Sequence, residues 1–413
     1  MKLTGLAAGG AALVLALCCS KLALADVVTD WNITALQITD PTAPGVLGQR
    51  IVAITQAAVH DAVNAVDRRY QPYSVDLKAP VGTSLDAAAA SAAYTVLVAY
   101  YPLEKPTLDA ALEKSLAAVS DGPARSDGVK VGREVGERIV RQRSHDGVTA
   151  KVAYNPSPLP GHWQPTPPGF STAASTQLPT TLPFVLKSAR QFDLPAPLAI
   201  SSTAFVKDLE EVRRLGSIDS KDRTADQTAA AVFWTAHTRV PWNAVARQVS
   251  TDRKLTVHEN ARLFALLNLV GIDAYIVAYT SKYDAGFIRP VTAIRSADEL
   301  GNPALHADKA WEALLISPPY PENLAGHAAL SGAFEAVLRD VFDGDTIEAA
   351  VTYPVQGVTR HYKRFSQITQ ECEDARVWGG LHFRTSVEQG AEVGRTIGTY
   401  AVATVLRPVG GDK

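Results

Sequence analysis

The chain has 413 residues, with 40 Lys and Arg against 42 Asp and Glu and 46% hydrophobic side chains. That near balance excludes a broad basic surface for nucleic acid or anionic membranes, while leaving room for a local cationic pocket. The length is ample for a core that needs no staples.

The N-terminus reads as an export signal. Lys2 is followed by an apolar run from Leu6 to Cys19, and Ala23-Leu24-Ala25 forms a small-residue cleavage site before Asp26. Residues 1–25 are therefore expected to be a signal peptide, and the remaining 388 an exported, periplasmic or secreted protein. Leu17 and Cys18 are large for the position before a lipidated cysteine, which disfavours a lipoprotein. The run is too short to span a bilayer and no later stretch of uncharged apolar residues is long enough, so no integral membrane segment is expected. Cys18 and Cys19 leave with the signal, and Cys372 alone cannot form an internal disulfide. Met1 is the only methionine. Methionine and cysteine are oxidised first, so this composition suits work near an oxidant, and equally an alanine-rich chain poor in methionine.

Helical patterning dominates the chain beyond the signal. Arg50 to Val66 is apolar at Ile51, Ile54, Ala58, Val59 and Val63, the spacing of one helix face. Leu85–Tyr101 and Leu108–Val119 are alanine-rich helix formers, and Gly128–Arg143 is amphipathic. Val152 to Pro197 differs, carrying ten of the 25 prolines together with Tyr154, Trp163, Phe170 and Phe184. Its prolines forbid helix and its aromatics need burial, which predicts an ordered surface strap. Helices are predicted again at Ser202–Gly216, Thr224–Ala236, Val257–Tyr283, Leu324–Phe342 and Asp374–Val405. No internal repeat and no run of alternating strands stands out. The expected fold is all-α, with an N-terminal helical half (26–200) ending in the Pro-rich strap (152–197) and a second helical half (201–413).

Three separated stretches carry cations and histidines. In Lys282-Tyr283-Asp284-Ala285-Gly286-Phe287-Ile288-Arg289-Pro290, two helical turns would point Lys282 and Arg289 the same way, while Pro290 puts Arg289 near a helix end. In Pro321-Glu322-Asn323-Leu324-Ala325-Gly326-His327, a proline run gives way to a small-residue helix start, where free amides and the helix dipole favour an anion. In Asp374-Ala375-Arg376-Val377-Trp378-Gly379-Gly380-Leu381-His382, Arg376 and His382 would share one side of a helix, and the glycine pair suggests a close approach. Taken singly, each stretch is as well explained by solvated cations and a structural histidine.

Taken together and in order, the stretches resemble the superfamily of type 2 phosphatidic acid phosphatases and vanadium-dependent haloperoxidases. Its pattern is Lys, six residues, Arg-Pro; then Pro-Ser-Gly-His; then Ser-Arg, five residues, His, three residues, Asp. Lys282, Arg289 and Pro290 match the first motif fully, Gly326 and His327 the second in part, and Arg376 and His382 the third in part. Val59-His60-Asp61-Ala62-Val63-Asn64, Phe233-Trp234 and Trp242-Asn243 are similar to the larger bacterial haloperoxidase-type members. The resemblance implies a helical bundle whose Lys282, Arg289, Arg376 and Gly326 amide bind an oxyanion, with His327 as acid or base. His382 would ligate vanadium in a vanadate cofactor, or attack phosphorus in a phosphate ester. Small substrates follow: peroxide and halide for a haloperoxidase, a phosphate ester for a periplasmic acid phosphatase. The chain departs from the pattern at Ala325, Ala375 and Ser386, where serine, serine and aspartate are expected. Those departures keep a third expectation open, an oxyanion-binding protein impaired in catalysis. Self-association into a homo-oligomer is also left open.

The other histidines receive plainer expectations. His60 is read as a satisfied buried group, and His145, His258, His306 and His361 as exposed. His162 and His237 stand beside Trp163 and Trp234, within reach of the pocket. No zinc-like Cys/His spacing, phosphate-binding glycine loop or nucleophile elbow appears.

Overall fold

The computed structural model describes residues 26–42, 45–353 and 357–410. The expected signal peptide, residues 1–25, lies outside the described residues. In chain order the helices of the first half are α1 (Val27–Thr42), α2 (Gly45–Val66), α3 (Leu85–Tyr100), α4 (Lys105–Ala117) and α5 (Pro123–Arg143). The second half holds α6 (Thr203–Leu215), α7 (Ala225–Phe233), α8 (Arg239–Asp252), α9 (Val257–Ala285), α10 (Pro290–Arg295) and α11 (Gly326–Val341). It closes with strands β1 (Thr346–Tyr353) and β2 (Val358–Arg364), then α12 (Phe365–Trp378) and α13 (Arg384–Thr404). The fold is thus mostly helical, as expected for the all-α class.

The centre is α9. A capping box of Thr256 and Glu259 starts it, and Gly286 ends it in the left-handed conformation at φ 55°. It is the one helix among the described residues long and apolar enough to cross a membrane, and it is wholly enclosed by the fold. Helices from both halves pack on it, notably α2 and α11, so one continuous core links the two halves. A buried amide network fastens this packing: Asn32 and Asn268 donate to the Asn243 side chain at 2.9 and 3.0 Å, and Gln49 donates to the Asn268 carbonyl at 2.9 Å.

Small residues let α11 and α13 touch backbone to backbone. A Cβ on Gly332 would fall 2.0 Å from the Ala391 carbonyl, and one on Gly394 equally close to that of Ala329. Such an interface fixes the helix start at Gly326 against the segment carrying His382.

Residues 152–197 contain no α-helix and are stitched to the second half. Trp163 donates to Gly286 and Ala174 to Pro319, both at 2.8 Å, and Ile288 donates to Gly161 at 3.0 Å. Buried Asp273 on α9 accepts from the amides of Phe184, Val185 and Leu186 at 2.6–2.8 Å. Trp163 and Phe184 are buried, but Phe170 is 64% exposed, contrary to the expectation that all these aromatics pack.

Three other expectations are corrected. The predicted helix Asp374–Val405 is two helices, because Gly379 and Gly380 end α12. A Cβ on Gly380 (φ 75°) would lie 2.6 Å from the Gly216 carbonyl, so the close approach there is from the end of α6. An antiparallel hairpin of β1 and β2 was not foreseen. Its inward residues Ile347, Ala349 and Val351 do alternate, but with little apolar bulk. His258, expected exposed, is buried in the first turn of α9 with Nε2 3.2 Å from an Asp67 oxygen.

Candidate active site

Lys282 stands in the last turn of α9, fully buried, 5.3 Å over the Tyr320 ring. The helix ends at Ala285, so Lys282 and Arg289 do not share a helix face as the seven-residue spacing suggested. Instead the chain turns back through Phe287, which bridges His162 of the strap and Glu322. This brings Arg289, the residue preceding α10, back to the same ring, 4.9 Å from its centroid. Arg289 donates to the carbonyls of Tyr320 and Leu381, each at 2.8 Å. Arg376, in the last turn of α12, donates to the Trp234 carbonyl at 2.7 Å.

His382 is not helical. It lies in the break between α12 and α13, with its ring buried and Nε2 3.4 Å from Arg289 Nη1. Gly326 and His327 are the first two residues of α11, preceded by Ala325 as a cap without a side-chain hydrogen bond. A Cβ on Gly326 would lie 3.3 Å from the Tyr275 ring.

Glu322 was not singled out by sequence reasoning. It is 0% exposed, and its Oε1 accepts from the Phe383 amide at 3.2 Å and lies 2.7 Å from His382 Nδ1. The carboxylate therefore holds the proton on Nδ1 and leaves the Nε2 lone pair facing Arg289 Nη1. Ser386, the residue standing where the motif aspartate is expected, faces the same carboxylate. The only signal in the sequence was an acidic side chain directly after Pro321, with no spacing to distinguish it.

The five predicted side chains influence one another electrostatically. Burial holds Lys282 well below its ordinary pKa, with Arg289 and Arg376 adding repulsion and Glu322 opposing. Burial likewise raises Glu322, against the pull of Lys282 and Arg289. His382 is driven well below the usual histidine range by burial and by Arg289, Lys282 and Arg376. His327 shifts the same way through burial, Arg376 and His237, while the Ala236 carbonyl facing it pulls upward. Both shifts favour the neutral ring.

Lys282 Nζ, Arg289 Nη2 and Arg376 Nε are buried donors without a protein partner. Three cations with one carboxylate and unused donors beside a helix start form a cradle that an oxyanion would complete, because unpaired buried charge is otherwise costly. A tetrahedral anion would satisfy the donors and meet Nε2 of His382. No His/Cys/Asp/Glu cluster suited to a bare metal ion occurs among the described residues.

Comparison with known proteins gives concordant matches. Residues 262–411 match the family described as VCPO second helical-bundle domain. The chain is 24% identical over 196 residues to vanadium chloroperoxidase of Curvularia inaequalis, a match covering 38% of this chain and 32%, about a third, of that protein's length. Among solved structures, the first bacterial vanadium-dependent iodoperoxidase superposes with a TM-score of 0.79 at 25% identity, covering 94% of this chain and 97% of that one. The holo-type bacterial vanadium-dependent chloroperoxidase superposes at 0.71 with 18% identity, covering 92% and 93%.

Proposed function

We propose, from the likeness of this chain to vanadium haloperoxidases, that it is an exported haloperoxidase-like enzyme using vanadate to oxidise halide with hydrogen peroxide. The observation that carries this reading is the convergence of unpaired Lys282, Arg289 and Arg376 donors with a His382 whose surroundings favour the neutral ring.

Lys282, Arg289, Arg376 and the Gly326 amide would hold the vanadate oxygens, and His382 Nε2 would bond to vanadium. Vanadate held there would supply a Lewis acid able to activate peroxide toward halide. Around it, the chain's own groups have separate tasks. The cations stabilise the negative charge that builds up as an oxygen is transferred. Glu322 keeps Nδ1 protonated, so His382 presents its lone pair throughout. His327, whose surroundings favour the neutral ring, would accept a proton from the incoming peroxide.

Burial favours this chemistry over the alternatives. Lys282 and Arg289 are fully buried, which suits small inorganic reactants better than a phosphate ester with a bulky leaving group. Hydrolysis through phosphohistidine is the second reading, because a lone pair on Nε2 also serves as a nucleophile. The absence of serine at 325 supports a third, impaired oxyanion binder. Halide oxidation by peroxide, measured with and without added orthovanadate and beside hydrolysis of a phosphate monoester, separates them. Vanadate-dependent halide oxidation without ester hydrolysis is expected; ester hydrolysis alone would favour the phosphatase, and neither would favour the impaired binder.

A further inference from the structure

The two guanidinium groups of the cradle are held unequally. Arg289 donates to two carbonyls, those of Tyr320 and Leu381. Arg376 makes one hydrogen bond among the described residues, from Nη1 to the Trp234 carbonyl at 2.7 Å, and its buried Nε has no protein partner. Where that Nε edge points is therefore set by where the Trp234 carbonyl stands. Trp234 is the fully buried cap residue that ends α7, and its ring Nε1 donates to Glu371 Oε1 at 3.1 Å. Glu371 lies on α12, as Arg376 does, so one tryptophan grips that helix twice, through its ring and through its carbonyl. The carboxylate is itself fixed by β2. Tyr362 donates its hydroxyl to Oε1 at 2.7 Å, and Arg360 donates Nε to Oε2 at 3.0 Å. Arg360 also pairs with Asp226 in the first turn of α7 at 2.5 Å. The hairpin, α7 and α12 thus meet at one carboxylate.

We propose that Trp234 and Glu371 are positioning residues for Arg376. The bond from indole to carboxylate fixes the tryptophan, the tryptophan carbonyl fixes Nη1, and the Nε edge is left for an oxyanion. Because the guanidinium is planar, anchoring one nitrogen orients the others. Freezing this long side chain in advance also removes an ordering cost that the anion would otherwise meet. A carbonyl suits the task because it is neutral. It holds the guanidinium without cancelling the charge meant for the anion, as a carboxylate in its place would. Glu371 is neutralised by Arg360 and reaches Arg376 through Trp234. The inference rests on the reading of Arg376 as an oxyanion ligand, and holds whether halide oxidation or ester hydrolysis is the chemistry.

The test needs no turnover. In protein with isotope-labelled arginine, NMR gives separate Nη1 and Nη2 signals for an anchored guanidinium and an averaged signal for one that rotates. Trp234→Phe keeps an aromatic ring and removes the indole donor. It should average the Arg376 pair, leave the Arg289 pair separate, and weaken sulfate binding by about tenfold. Glu371→Gln keeps the size and one acceptor, so its signals and sulfate affinity should fall between wild type and Trp234→Phe. It decides the matter alone if Trp234→Phe does not fold. Ser366→Ala is the control for a purely structural effect, because it removes a 2.6 Å bond to Asp345 at the start of α12 and leaves Trp234 untouched. It should lower the melting temperature and change neither the Arg376 signals nor sulfate affinity. Separate Arg376 signals or unchanged sulfate affinity in the folded Trp234 and Glu371 variants would overturn the inference, as would equal losses in Ser366→Ala. The expected losses in a protein that oxidises no halide would leave the inference standing and sink the functional reading instead.

Discussion

At His382, Glu322 exerts two opposing effects. Its charge weakens the cationic field of Lys282 and Arg289, yet its hydrogen bond fixes the tautomer that a bond to vanadium requires. Glu322→Gln separates them. Sulfate, which needs only the field, should bind equally or more tightly, whereas vanadate should bind about 10–100-fold more weakly. Adding Ser386→Asp should recover part of the vanadate affinity, because that residue faces the same carboxylate. Equal losses for both anions would mean that Glu322 is needed for folding of the pocket. Ala325 offers a simpler case. It caps α11 with no side-chain bond, so Ala325→Ser should add one charge-assisted hydrogen bond to the anion, worth ~1–2 kcal/mol or about tenfold in affinity. A higher melting temperature with unchanged vanadate affinity would instead assign the hydroxyl to the helix amides. These residues also mark how far sequence reaches. Five side chains were legible because fixed spacings around Arg-Pro and Gly-His name them, whereas Glu322 acts across 60 residues and carries no spacing of its own.

Elements were legible where periodicity was long and apolar. The second and ninth helices stand out for that reason, and capping residues such as Thr256 mark true ends. The break at Gly379 and Gly380 was not, because glycine inside a helical pattern reads as a weak position until a neighbour, here Gly216, is known. The strap shows how an irregular segment becomes part of the site. It hangs on Asp273, whose carboxylate, pushed up to about 6 by burial, receives three backbone amides. Asp273→Asn keeps one acceptor and turns a donor toward the others. The expected cost is about 3 kcal/mol, with new protease cleavage near residues 184–186 detected by mass spectrometry. Unaltered stability and cleavage would show that the strap is held by its prolines and aromatics alone.

Over the whole molecule the formal charge is −2, so nothing at long range draws an anion in. Attraction is local to the cradle, and its strength is tied to protons. Lys282 is held well below its ordinary pKa without an anion, and a bound anion would raise it again. Glu322 and His327 would move upward with it, so binding takes up protons and affinity falls as pH rises. The slope is up to about tenfold per pH unit for each proton taken up. Sulfate suits this measurement because it has no proton of its own to lose near neutrality. Affinity independent of pH would place the anion away from Lys282. The claim on which all else rests is that one cradle serves every tetrahedral oxyanion. Calorimetric titration of orthovanadate, repeated in saturating phosphate, tests it most directly. One vanadate site that phosphate displaces, and that His382→Ala weakens for vanadate far more than for phosphate, is the predicted result. Independent binding of the two anions, or vanadate binding untouched by His382→Ala, would contradict it.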